Sequence, residues 1–209
     1  EGRVVRMPVV ETLQTQWREV LIAAGLKVAE TAPFYIFTTF IVSYAVTNVG
    51  YARESILTAV MIGAAISTVM IPLMGLLSDY VGRKIVYTLG CAAMGLFVFP
   101  YFMMVNTNDI VLLTVATVII FGFIWSPVTA VLGTLFSEIF PSRVRYTGVT
   151  LGYQIGAALA GGTAPLIATW LLTRFDNDWR TVAAYVLATV VLSLTAAFMI
   201  RKRPVNIGG

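Results

Sequence analysis

Six long apolar runs constrain this chain more than any other feature it has. They are Val20–Thr47, Ile56–Leu77, Ile85–Val105, Ile110–Phe136, Gly148–Thr173 and Thr181–Ile200, each between 20 and 28 residues long. A helix needs about 20 apolar residues to cross the roughly 30 Å hydrocarbon layer of a bilayer. Strands of a membrane barrel would instead show segments of about 10 residues with strict alternation, and these runs are apolar on every side. The composition agrees: 58% of the 209 residues are hydrophobic and 11% are charged, where ordinary globular chains carry about 25% charged residues. The expected fold is all-α, a polytopic membrane bundle of six transmembrane helices. Connections of four to eleven residues make consecutive helices antiparallel neighbours.

The first run reads as a span and not a secretory signal. It follows a charged stretch, exceeds a signal core in length and has no small-residue cleavage pattern behind it. The net charge of +4 does not imply nucleic acid as a partner, because the cations lie in short loops between apolar runs. Arg3, Arg6, Arg18, Arg83, Lys84, Arg143, Arg145, Arg201, Lys202 and Arg203 fall on one side by loop parity. Only Arg53, Arg174 and Arg180 fall on the other. Ten cations against three place both termini in the cytoplasm by the positive-inside rule, and a bacterial inner membrane is the expected location. Trp17, Tyr51, Tyr101, Tyr146, Trp170 and Trp179, near span ends, are expected in the interfacial belts. The chain divides into a cytoplasmic segment 1–19, a bundle 20–200 and a cytoplasmic tail 201–209. It begins with Glu1 on a charged, loop-like stretch, as the remnant of a central loop after an upstream half would.

The chain contains no His, so histidine metal sites, Ser-His-Asp triads and imidazole relays are excluded. Its single Cys, Cys91, forms neither an intrachain disulfide nor a CxxC zinc site. No metal and no cofactor is expected, and no constellation for an enzyme is visible. A sensor would normally add a soluble output domain, for which a nine-residue tail is too short.

One pair of ionisable groups lies deep in a span. Lys27 and Glu30 are three residues apart on the first helix and within reach of each other. With that helix starting near Val20, Glu30 is about 15 Å deep at 1.5 Å per residue, close to the bilayer midplane. A buried charge there costs about 2.5–3.5 kcal/mol on insertion scales, which marks a functional candidate. The structural alternative is a neutralising ion pair with Lys27 snorkelling outward. Thr31, Phe34, Thr38, Ile41 and Ala45 continue near the Lys27 face as a partly polar stripe suited to a water-filled cavity. Desolvation opposes the charge on Glu30 and Lys27 supports it, so a substrate competing for Lys27 could switch it.

Other spans add weaker signals. Pro33, Pro72, Pro100, Pro127 and Pro165 all lie within apolar runs, which favours helices that bend. Phe121, Trp125 and Thr129 share a face of the fourth span beside Pro127; a mid-span Trp there either packs or lines a cavity. Gly148, Gly152, Gly156, Ala160 and Ala164 repeat every four residues on the fifth span, a flat stripe for close helix packing. Tyr153 and Gln154 beside it either bond a substrate or glue helices together. In the loops, Asp79 faces Arg83 and Lys84 on one side and Arg143 and Arg145 on the other. It either pairs with Arg143 or Arg145, as a cytoplasmic gate would, or sits at the N-terminus of the helix entering at Thr147, where the dipole favours an anion, or sets topology alone.

The stretch GLLSDYVGRK (Gly75–Lys84) resembles the loop signature of major facilitator superfamily transporters. The run Phe140–Gly148, FPSRVRYTG, followed by LGYQIGAALAGGTAPL, is similar to their metabolite:proton symporter branch, as are LKVAE (Leu26–Glu30) and PFYIF (Pro33–Phe37). The resemblance covers about Trp17 to Lys202 and aligns with helices seven to twelve. It implies the C-terminal half of a twelve-helix fold, built from two inverted three-helix repeats, with the missing N-terminal six-helix half as partner. It also implies proton-coupled symport of a small organic acid or zwitterionic metabolite by alternating access. Lys27, Glu30, Thr31, Phe34, Thr38, Trp125, Thr129, Tyr153 and Gln154 would then line the substrate and proton pathway. Asp79, Arg83, Lys84, Arg143 and Arg145 would form the gate. A uniporter or exporter of the same superfamily, with Lys27–Glu30 purely structural, is the alternative.

Overall fold

The computed structural model describes residues 8–200, so Arg3, Arg6, Arg201, Lys202 and Arg203 of the orientation count lie outside the described residues. Six helices are long and apolar enough to cross a membrane: Trp17–Val49, Arg53–Val81, Arg83–Val105, Ile110–Ile139, Arg145–Arg174 and Trp179–Met199. They are called the first to sixth spans below. Most overrun the apolar runs by a few residues, because polar residues at headgroup depth keep their backbone bonded in the helix while their side chains reach water. Pro8–Thr15, expected as loop, is a further helix.

Local chemistry sets the turns. Asp109 caps the fourth span by accepting from the amides of Val111 and Leu112, and Asp178 caps the sixth by accepting from Arg180. Gly82 has φ 106°, a left-handed backbone that reverses the chain between the second and third spans without a Cβ clash. Two irregularities are each followed within a turn by a proline, which has no N–H to offer the preceding helix. One is the Gly161–Gly162 break before Pro165 in the fifth span. The other is a widened π segment, Val118–Ile124, before Pro127 in the fourth. The first span also contains π segments, at Ile36–Phe40 and Ala45–Val49.

The pairing of helices reveals the repeat. The first span packs against the fifth and sixth, whereas the fourth packs against the second and third; the third and sixth pack on each other. Exchanging spans one to three for spans four to six leaves that pattern unchanged, as two intertwined three-helix repeats require. The fifth-span stripe is the tightest seam. Gly148, Gly152, Gly156, Ala160 and Ala164 are all buried. A Cβ on Gly152 would lie 2.5 Å from the Cβ of Ala23, and one on Gly156 equally close to that of Lys27. Tyr101 is not interfacial as expected: it is fully buried and meets the rings of Phe37 and Phe102. The second span keeps Met61, Val69 and Leu76 exposed, an apolar face suited to lipid or to further protein.

Candidate functional site

The first span passes through the middle of the bundle, and its backbone is held there by three neighbours. Ser193 of the sixth span accepts from the Ala29 amide at 2.9 Å and donates to the Gly25 carbonyl at 2.6 Å. It thus bonds both members of a carbonyl–amide pair four residues apart in the first span. The Tyr87 hydroxyl of the third span donates to the Leu26 carbonyl at 2.6 Å. Trp125 of the fourth donates from Nε1 to the Glu30 carbonyl at 2.8 Å. Pro33 removes the amide that would close on Ala29. The turn bearing Lys27 and Glu30 is thus fixed from outside its own helix.

On that turn Lys27 Nζ lies 2.5 Å from Glu30 Oε2, with the two side chains 4% and 15% exposed. Thr31 donates to the same oxygen at 2.8 Å, and Thr129 of the fourth span donates to Oε1 at 2.9 Å. The absent Cβ of Gly156 gives the Lys27 stem room beneath the fifth span, and Tyr153, three residues earlier, presents its ring face 3.7 Å from the ammonium. Phe34 closes another side, its ring 5.3 Å from Trp125 and 5.8 Å from Phe121. Among them lies a 220 Å³ crevice bounded by Lys27, Glu30, Thr31, Phe34, Tyr35, Trp125, Tyr153 and Ala157. Neither Lys27 nor Glu30 turns outward to the headgroups.

Two expected pathway residues lie elsewhere. Thr38 donates to the Phe34 carbonyl and lines a separate cavity of 450 Å³ with Thr39, Ser43, Thr47 and Arg53. The π turn at Ile36–Phe40 changes the helical phase, so extrapolating the Lys27 face at 3.6 residues per turn fails beyond it. Gln154 is exposed and outside the crevice, one residue round the helix from Tyr153. Tyr35, Ser193 and Tyr87 were not anticipated. The only sequence signal for the last two is a polar group isolated in an apolar run.

The loop charges pair differently from expectation. Asp79 meets neither Arg143 nor Arg145: it accepts from Arg83, four residues on, at 3.2 Å. Arg83 also bonds Glu138 at the end of the fourth span, so it, and not Asp79, joins the two repeats. Arg143 pairs with Glu11 of the N-terminal helix at 3.0 Å, and Arg145 Nε donates to the Phe140 carbonyl at 3.4 Å. Lys84 lies over the Phe198 ring at 5.8 Å. The reason is local: the reversal at Gly82 brings Arg83 at the start of the third span back beside Asp79 at the end of the second, while Glu11 and Glu138 bond Arg143 and Arg83.

Fold and crevice together define a class: a polytopic bundle of six spans, built as two intertwined repeats around a polar, charged cleft at mid-depth. Comparison with known proteins makes the family plain. Residues 28–208 match the Major Facilitator Superfamily, and the chain belongs to that superfamily, a family of transporters and not of enzymes. It is 31% identical over 196 residues to the shikimate transporter of Escherichia coli K12, covering 94% of this chain and 45% of that protein. It is 30% identical over 189 residues to the proline/betaine transporter of the same strain, covering 89% and 37%. Against the glycine betaine/proline/ectoine/pipecolic acid transporter of Dickeya dadantii it is 30% identical over 186 residues, covering 88% and 36%. The chain thus spans less than half the length of these relatives. Its fold is half of the major facilitator architecture.

Proposed function

We propose that this chain forms one half of a proton-coupled symporter for a small organic acid or a zwitterionic metabolite, working by alternating access. An N-terminal six-helix half supplies the opposite wall, and both termini lie in the cytoplasm. The observation that carries the reading is the buried Lys27–Glu30 pair at the mouth of an aromatic crevice. A proton reaching Glu30 removes the charge that holds Lys27. An unpaired ammonium in a buried site is unfavourable by roughly 3–5 kcal/mol, and a substrate carboxylate relieves that penalty. Proton and carboxylate therefore bind as a couple. Site charge is balanced before, as ammonium with carboxylate, and after, as ammonium with substrate carboxylate beside neutral Glu30. A zwitterion would set its cationic end against the rings of Phe34 and Trp125, away from Lys27. The similarity to carriers named for shikimate and for proline and betaine supports both substrate classes. Thr31, Phe34, Trp125, Thr129 and Tyr153 shape the pathway, with Thr38 and Gln154 assigned to its outer approach and to the partner half. Arg83, held by Asp79 and Glu138, is the gate's central cation, with Lys84, Arg143 and Arg145 around it.

The test is Glu30→Gln in the whole transporter, reconstituted in proteoliposomes with and without a pH gradient. Proton-driven accumulation should be lost while substrate exchange persists. Uptake that keeps its pH dependence in this variant removes Glu30 from the mechanism, whereas uptake by the unaltered transporter that is indifferent to the pH gradient favours a uniporter with a structural ion pair.

A further inference from the structure

A second cavity lies on the far side of the first span from the crevice, between the cytoplasm-assigned ends of the first and sixth spans. It encloses 360 Å³ and is walled by Leu21, Ile22, Leu192, Ala196 and Met199, with Trp17 and Arg18 at its rim. The helices touch at its closed end, where a Cβ on Gly25 would lie 3.0 Å from that of Ala196, and diverge from there. From Gly25 to Trp17 is eight residues, roughly 12 Å along the axis at 1.5 Å each. Its one other polar lining group, Thr195, spends its hydroxyl on the Val191 carbonyl of its own helix. Leu21 and Leu192 are more than half exposed, so the groove opens sideways toward lipid.

The rim has charge of a single sign. Among the described residues, Arg18 has no carboxylate within ion-pair distance, and Trp17 beside it is 55% exposed, as an interfacial anchor is. Across the same end of the sixth span Lys84 lies over Phe198, also without an acidic partner among the described residues. The sequence continues from Ile200 directly into Arg201-Lys202-Arg203. An apolar groove, open to lipid and crowned by a guanidinium that has no acidic partner among the described residues, suits an anionic phospholipid. We infer that this groove holds one acyl chain of an anionic phospholipid whose phosphate bonds Arg18.

Native mass spectrometry of the whole transporter, delipidated and then titrated with phosphatidylglycerol or phosphatidylcholine of equal chain length, tests this. Phosphatidylglycerol should be retained preferentially, and Arg18→Gln should lower its bound fraction about fivefold with phosphatidylcholine unchanged. Thr195→Trp, which fills the groove, should remove both lipids from it. Equal retention of the two lipids, indifference to Arg18→Gln, or displacement by inorganic phosphate alone would each overturn the assignment.

Discussion

Glu30 is held by three donors and Lys27 by one acceptor and one ring, so the pair is a built site and not two charges that happen to meet. Residue chemistry made this much legible in advance: two ionisable groups three apart in an apolar run, with Trp125 and Thr129 sharing a face elsewhere. The supports of the backbone were not legible, because a lone Ser or Tyr in a span carries no partner information. Ser193 illustrates the consequence. With Ser193→Ala the Ala29 amide can close directly on Gly25, so stability should change by only about 0.6 kcal/mol, the average for such bonds in membranes. The turn bearing Lys27 and Glu30, however, loses its tether to the sixth span. The expected result is a raised KM for substrate with a nearly constant melting temperature. A parallel collapse of both would make Ser193 merely structural.

At the scale of the helix, the small-residue stripe set the closest approach in the bundle, and its four-residue spacing was readable at once. What it packed against was not, since spacing names no partner. The structure adds a coupling between packing and chemistry: Gly156 is the residue that admits the stem of Lys27. Gly156→Ala places a methyl 2.7 Å from the Ala24 carbonyl, a backbone atom that cannot step aside. Overpacking of this kind costs typically 1–3 kcal/mol. The variant should melt several degrees lower and should also weaken substrate binding, measured together by thermal unfolding and binding in detergent. The phase of the first span was likewise misread beyond Tyr35, because a π turn inserts a residue that no periodicity announces. That single turn is why Thr38 opens onto a different cavity.

For the molecule as a whole, six spans, antiparallel neighbours and a half-transporter fold follow from run lengths, loops and motif resemblance. The loop network did not follow, because the arginines chose acids that the linear order left distant. Arg83 now ties the turn after the second span to the end of the fourth, one repeat to the other. Its partners are about half exposed, so the pair adds at most about 1 kcal/mol to stability. If Arg83 gates as proposed, its effect belongs to the balance between open and closed forms. Glu138→Arg should slow transport severalfold without lowering the melting temperature, and Arg83→Glu added to it should restore part of the rate. Absence of any rescue would separate this bridge from gating.

The charge arithmetic of the crevice reaches as far as the energetics of the cell. If one proton enters with each carboxylate at Lys27 and Glu30, a turnover on an acid substrate moves no net charge, and membrane voltage neither drives nor resists it. Clamping proteoliposomes with potassium and valinomycin should leave the uptake rate of an acid flat across imposed potentials, while dissipating the pH difference stops accumulation. A cell using such a carrier would draw on acidity alone, and would keep importing when its membrane is depolarised.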